Sequence, residues 1–173
     1  MLNISNQQVA SNTRFGAQTL YRGEEILGKN RAADFFYNHW HALRNQGLRP
    51  SREDIKPRNM TRFLDRVVLM DVVPQEPDGF QLLVKLIGGH VASYYGEIGG
   101  KFIESMSNKN AVKRIYRTSG LVIEEKQPIL GVTPGFCEDR LFMEAHAIYS
   151  PLFDENMDVI KILVCVDVKS MNV

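Results

Sequence analysis

Residues 158–168, DVIKILVCVDV, alternate so regularly that they must form a strand with two different faces. Ile160, Ile162, Val164, Val166 and Val168 fall on one face, and Lys161, Leu163, Cys165 and Asp167 on the other. Successive strand side chains point to opposite sides, so the wholly apolar set belongs against a core. The mixed set needs a second covering element, because Leu163 and Cys165 would otherwise face water. A chain with this strand therefore folds as a sheet packed on both sides.

The remaining strands fit such a sheet. VVLMDVV at 67–73 is closed by the turn-rich PQEPDG and followed by FQLLVKLI at 80–87, where Phe80, Leu82, Val84 and Leu86 share a face. Two strands joined by a short Pro/Gly loop make an antiparallel hairpin. A glycine-punctuated, short-helical stretch follows. Next comes a longer helix carrying Ala111, Val112, Ile115, Tyr116, Ser119, Val122 and Ile123 on one face and stopped by Gln127-Pro128. ILGVT, RLFMEAHAIYSPLF and the alternating segment complete a set of three strands. Two strands, then helices, then three strands is not the alternating pattern of a parallel sheet.

The element expected to dock on the mixed face, either within the chain or from a partner subunit, precedes the hairpin. Ala33, Phe36, Trp40 and Leu43 recur at spacings of three and four, which predicts an amphipathic helix over 33–46 with Gly47 as its stop. Pro50 and Pro57 impose extended or turn geometry on the following SREDIK. Helix and segment together read as a strap, with Trp40 buried and Arg44, Arg52 and Asp54 pinning the crossing by charge-assisted bonds. A phosphate-contacting role for Arg44, Arg49 and Arg52 is the alternative, opposed by the interleaved Glu53 and Asp54. The expected organisation is a partly disordered lead-in over 1–30, flanking helix and strap over 31–66, and a core over 67–173.

Lys plus Arg number 21 and Asp plus Glu number 20, a balance that speaks against nucleic acid as a partner. The N-terminus lacks the basic and apolar regions of a secretory signal. No stretch approaches the ~18–20 apolar residues of a membrane span. The two cysteines, Cys137 and Cys165, have no zinc or redox spacing. A cytoplasmic protein with reduced thiols is expected.

HWHALRNQGLRPSREDIKP, followed by FLDRVVLMDVV, FQLLVKLIGGHVASYYG, IGGKF and YSPL, closely resembles a family of bacterial single-domain PAS proteins. That family opens with a Trp-x-x-Leu-Arg helix and a Pro-x-Arg-x-Asp-x-x-Pro segment. Trp40, Leu43, Arg44, Pro50, Arg52, Asp54, Pro57, Leu69, Asp71, Val72, Gly88, Gly96, Gly100 and Pro151 carry the resemblance. Lys85 and Gly89 depart from it, standing where the family more often has arginine and threonine. The resemblance implies an α+β fold: a five-stranded antiparallel sheet of order 2-1-5-4-3, helices from 88–125 on one face, and the N-terminal helix outside. It implies a non-enzymatic sensor or adaptor that binds a small organic ligand and signals through a protein partner or a dimer rearrangement. A homodimer through the N-terminal helix is expected. A small α+β enzyme or ligand carrier with a similar cavity is the alternative, and would hold an acid or base inside that cavity.

Side chains that could carry chemistry are few. His39 and His41 lie two apart on a helix and do not share a face, so no metal site is expected there or at His90 and His146. Glu144 and His146 do share a strand face, but an outer polar face explains them without catalysis. No nucleophile or nucleotide-binding motif is present. In the implied fold, His90, Tyr94, Tyr95, Tyr116 and Ser119 are the polar candidates for a ligand pocket, with Ile115 and Met143 as apolar lining. Such a wall favours a small, partly aromatic or carboxylate-bearing molecule. The stretch 108–125 offers no histidine for haem and the chain has no flavin-adduct segment, so no cofactor is expected.

Overall fold

A computed structural model describes residues 16–137 and 140–171. Of the lead-in expected over 1–30, residues 1–15 lie outside the described residues, whereas the remainder carries a short strand at Thr19–Arg22 and a 3-10 turn at Gly23–Ile26. In chain order the elements are β1 (Thr19–Arg22), α1 (Arg31–Asn45), β2 (Val67–Pro74), β3 (Phe80–Ile87), α2 (Gly89–Tyr95), α3 (Lys109–Glu125), β4 (Ile129–Pro134), β5 (Met143–Phe153) and β6 (Val159–Ser170). Short 3-10 turns occupy Gly23–Ile26, Arg52–Asp54, Pro57–Asn59, Thr61–Arg66 and Ile103–Ser105. No helix among the described residues is long and apolar enough to cross a membrane.

The sheet is antiparallel, with order β1-β4-β5-β6-β2-β3. Without β1 this is the expected five-strand order read from its other edge. The sixth strand is a correction, because TLYR is too short to show a period. Its place is fixed from outside: it pairs with β4, and Arg22 holds Glu125 at the end of α3 through bonds of 2.6 and 2.9 Å. Hydrogen-bonding to an existing edge lets four residues form a strand that propensity would not nominate.

The inner face packs Val68, Met70, Leu82, Val84, Tyr149 and Val164 against α2, α3 and the loop between them. Two expected inner residues are turned out by register shifts. Ile160 is 40% exposed, and Val159 takes the inner place because Leu152 pairs with Lys161 while Phe153 pairs with Val159. Leu86 is 50% exposed, and Ile87 instead reaches inward past the shift between Leu69 and Met70. An extra residue in one strand reverses the facing of every residue beyond it, which an alternation count cannot detect.

The outer face carries Leu130, Ile148, Leu152, Leu163 and Cys165, and Ala33, Phe36 and Tyr37 of α1 pack on it together with Ile26. Asn30 caps this helix: its side-chain oxygen accepts from the Ala32 and Ala33 amides at 2.9 and 3.1 Å, while its amide donates to Asp167 of β6 at 3.1 Å. Arg66 donates to the other oxygen of the same carboxylate at 3.0 Å. The helix therefore docks on its own sheet. A homodimer that used this apolar stripe would first have to undock it.

The strap is fastened differently from the sequence expectation. Arg44 and Arg52 each bond a backbone carbonyl of their own segment, Leu48 and Ile55, and Asp54 accepts from the Ser51 amide and hydroxyl. All three shape the segment locally. The crossing itself is held by the Trp40 indole N–H donating to the Pro151 carbonyl at 2.8 Å and by the Phe153 amide donating to the Pro50 carbonyl at 2.8 Å. Charged side chains reach solvent here, so backbone groups and one indole supply the buried bonds.

Candidate functional site

An apolar cavity of about 60 Å³ lies between the inner sheet face and the helices above it. Val68, Met70 and Val164 form its floor, Val91 and Tyr95 of α2 and Ile115 of α3 its roof. Each wall follows from local sequence. The floor residues are inward members of an alternating strand, and Val91 and Tyr95 are four apart on one helix face. The volume is well below the ~150 Å³ of an engineered apolar cavity that admits benzene. A ligand there is small, or shifts side chains as it enters.

Among the described residues lining this cavity, two tyrosines, Tyr95 and Tyr149, carry a polar side-chain group. Burial pushes the Tyr95 phenol up to about 12, with the Arg114 guanidinium beside it acting in the opposite direction. The Tyr149 phenol is raised still further by burial. Both stay neutral near neutral pH and can give or take one hydrogen bond. Among the described residues, no carboxylate, histidine or cysteine lines the cavity.

Of the expected pocket residues, the structure brings Tyr95 and Ile115 to the cavity and leaves the other five outside it. His90 accepts from the Val168 amide at 3.3 Å and meets the Tyr94 ring edge-on at 5.4 Å. Tyr94 packs on Phe136 and lies beneath the Arg140 guanidinium. The Tyr116 hydroxyl donates to Glu104 and accepts from the Leu82 amide at 3.2 Å, which ties α3 to the outermost strand β3. Burial, and then the bond to Glu104, push that phenol up to about 12. Ser119 is fully buried and its hydroxyl has no partner among the described residues, but it lies away from the lining. Met143 packs at the margin of the same core near the start of β5. A helix face is about a third of its circumference, and only part of it overlies a hole this small. Sequence shows the face and not the hole.

Tyr149 and Met106 line the cavity without having been expected there. Tyr149 had a signal, being on the inner parity of β5 with Ala145 and Ala147. Met106 sits in an aperiodic loop and had none.

Glu144 and His146 meet at 2.6 Å on the outer side of β5, with the sheet between them and the cavity. His146 is 8% exposed and its Nδ1 has no partner among the described residues. The pair is a partly buried polar contact at a strand end, and neither residue lines the cavity.

A second depression, an open groove of about 870 Å³, borders the first half of α3. Lys109 and Arg114 come from that helix, Tyr94 from α2, and Phe136 and Arg140 from the loop after β4.

The sequence model of the PAS domain family matches residues 29–166, which span α1 through most of β6. No curated protein and no solved structure matches the chain.

Proposed function

This chain belongs to the PAS domain family, and we propose that it is a sensor module that takes a small, largely apolar organic ligand into the cavity beneath α2 and α3. The observation that carries this reading is the cavity itself: a hole walled by alkyl side chains with only two neutral phenols to orient a guest. An apolar hole loses packing contacts on every wall, so a molecule that fills it recovers them. Among the described residues the lining holds no carboxylate, histidine or cysteine, and its two phenols stay neutral near neutral pH, which supports binding over acid–base turnover.

The output runs through the sheet. Val164 on the inner parity of β6 touches the cavity, while its neighbours Leu163 and Cys165 contact the α1 layer. A guest that moves β6 therefore also acts on the seat of α1 and the strap. In this reading the exposed side of that layer addresses a signalling protein or a second copy of the chain.

The test is a thermal-shift screen of small neutral apolar and aromatic compounds, repeated with Ile115→Trp, which fills the hole from the roof. Compounds that bind the folded chain alone raise its melting temperature by mass action. Hits should vanish in Ile115→Trp, and hydrogen exchange in α1 should change when a hit is bound. Stabilisation that persists in that variant would remove the cavity from the argument.

A further inference from the structure

The groove and the cavity share one wall. Phe136 is 2% exposed, and its ring lies 5.8 Å from Tyr94 on the groove side and 5.6 Å from Tyr95 on the cavity side. Arg114 spans the same wall: it lines the groove, donates to the Phe136 carbonyl at 3.2 Å and stands beside the Tyr95 phenol. One layer of side chains thus separates a polar depression from an apolar hole.

The two sides differ in chemistry as the two ends of an amphiphile do. Among the described residues lining the groove, Lys109, Arg114 and Arg140 are cationic and none is anionic. Lys109 donates to the Glu104 carbonyl, and Arg140 lies 4.7 Å over the Tyr94 ring. None of the three makes an ion pair among the described residues. Glu138 and Asp139 of the same loop lie outside those residues. A guanidinium has five donors, and among the described residues Arg114 directs only some of them at protein oxygens, the Phe136 carbonyl and the Tyr95 phenol, which leaves donors for a carboxylate.

We propose that the ligand is a short- to medium-chain carboxylic acid whose carboxylate rests on Arg114 and Lys109 in the groove and whose apolar tail passes Phe136 and Tyr95 into the cavity. This rests on the reading that the cavity is the sensory site, and adds which end of the ligand faces out and what holds it. A carboxylate matches the planar fork of an arginine and keeps its charge in the wet groove, while each methylene that enters the cavity leaves water. The small hole limits the inserted portion to a short tail unless Phe136 and Tyr95 move aside together. Coupled movement of that pair would also release the contacts of Arg114, so head-group binding and opening of the wall reinforce one another.

Calorimetric titration of the full chain with octanoate, octan-1-ol and acetate separates the parts. The expected result is that octanoate binds at least tenfold more tightly than octan-1-ol, and acetate shows no measurable binding. Lys109→Gln and Arg114→Gln should each reduce octanoate towards the affinity of the alcohol and leave the alcohol unchanged. Among the described residues Lys109 bonds only the Glu104 carbonyl, at an exposed position, so its variant remains informative if Arg114→Gln fails to fold. Equal binding of acid and alcohol would overturn the head-group assignment and spare the cavity. Binding of acetate as tight as octanoate, or binding of none of the three, would overturn both.

Discussion

Replacing Trp40 tests whether the N-terminal helix is an integral layer of this domain. The indole is 6% exposed, packs against Phe153 at 6.3 Å between ring centres, and donates to the Pro151 carbonyl at 2.8 Å. Trp40→Phe keeps most of the ring and removes the donor. Leaving a buried carbonyl unpaired costs about 1–3 kcal/mol, and the bond sits at the low end because Pro151 also lies within a paired strand. Trp40→Ala adds the cavity left by an aromatic side chain, for a total of about 3–5 kcal/mol. For a domain of this size each kcal/mol lowers the melting temperature by about 2–4 °C, so the alanine variant should melt roughly 6–20 °C below the parent and the phenylalanine variant a few degrees below. Trp40 is the chain's single tryptophan, so unfolding is followed by circular dichroism for all three proteins. A loss below about 3 °C for Trp40→Ala would refute the docked layer, given a ring this deeply buried. A parental melting temperature that depends on protein concentration, with that dependence lost in Trp40→Ala, would place the indole between two chains instead.

Neighbouring glycines should respond in opposite directions: a Cβ on Gly88 would lie 2.3 Å from the Asp65 carbonyl oxygen, whereas one on Gly89 meets nothing within 4 Å. Gly88→Ala should therefore destabilise by about 1–3 kcal/mol or more in urea unfolding, and Gly89→Ala should be neutral or stabilise by up to about 1 kcal/mol. Asn30→Ala removes the cap of α1 and its bond to Asp167, and a loss of about 1–2 kcal/mol is expected from the same assay. The bond from Arg22 holds the Glu125 carboxyl below its ordinary range, so its contribution is present above the unfolded value of about 4.3 and is lost as pH falls through the folded value. Both groups are partly exposed, so Glu125→Gln should cost no more than about 1 kcal/mol at neutral pH, with the gap to the parent closing on the acid side in melts between about pH 6 and 3.

Five of the strands and the two-faced character of the last are legible in the chain alone, while their order came from the family resemblance. The alternation in 158–168, the turn after Val73 and the stripe through Trp40 are local patterns, and each element's buried side follows from its own period. Trp40 is legible as the anchor of α1 in the same way, because an indole on an apolar stripe at that spacing has nowhere else to go. The features hidden from a sequence reading depend on partners distant along the chain. β1 exists because β4 offers an edge, Ile160 and Leu86 turn outward because strands slip by one residue against their neighbours, and Asn30 and Arg66 converge on Asp167 across more than a hundred positions. The cavity is the extreme case. It is defined by where side chains fail to meet, so Tyr95 and Ile115 could be placed near it by helix periodicity, while Tyr94 and Tyr116, at almost the same spacing, were drawn away by Arg140 and by Glu104 with the Leu82 amide. Periodicity gives the direction of a side chain, but a void is set by the packing of every element around it, and that information exists only in three dimensions.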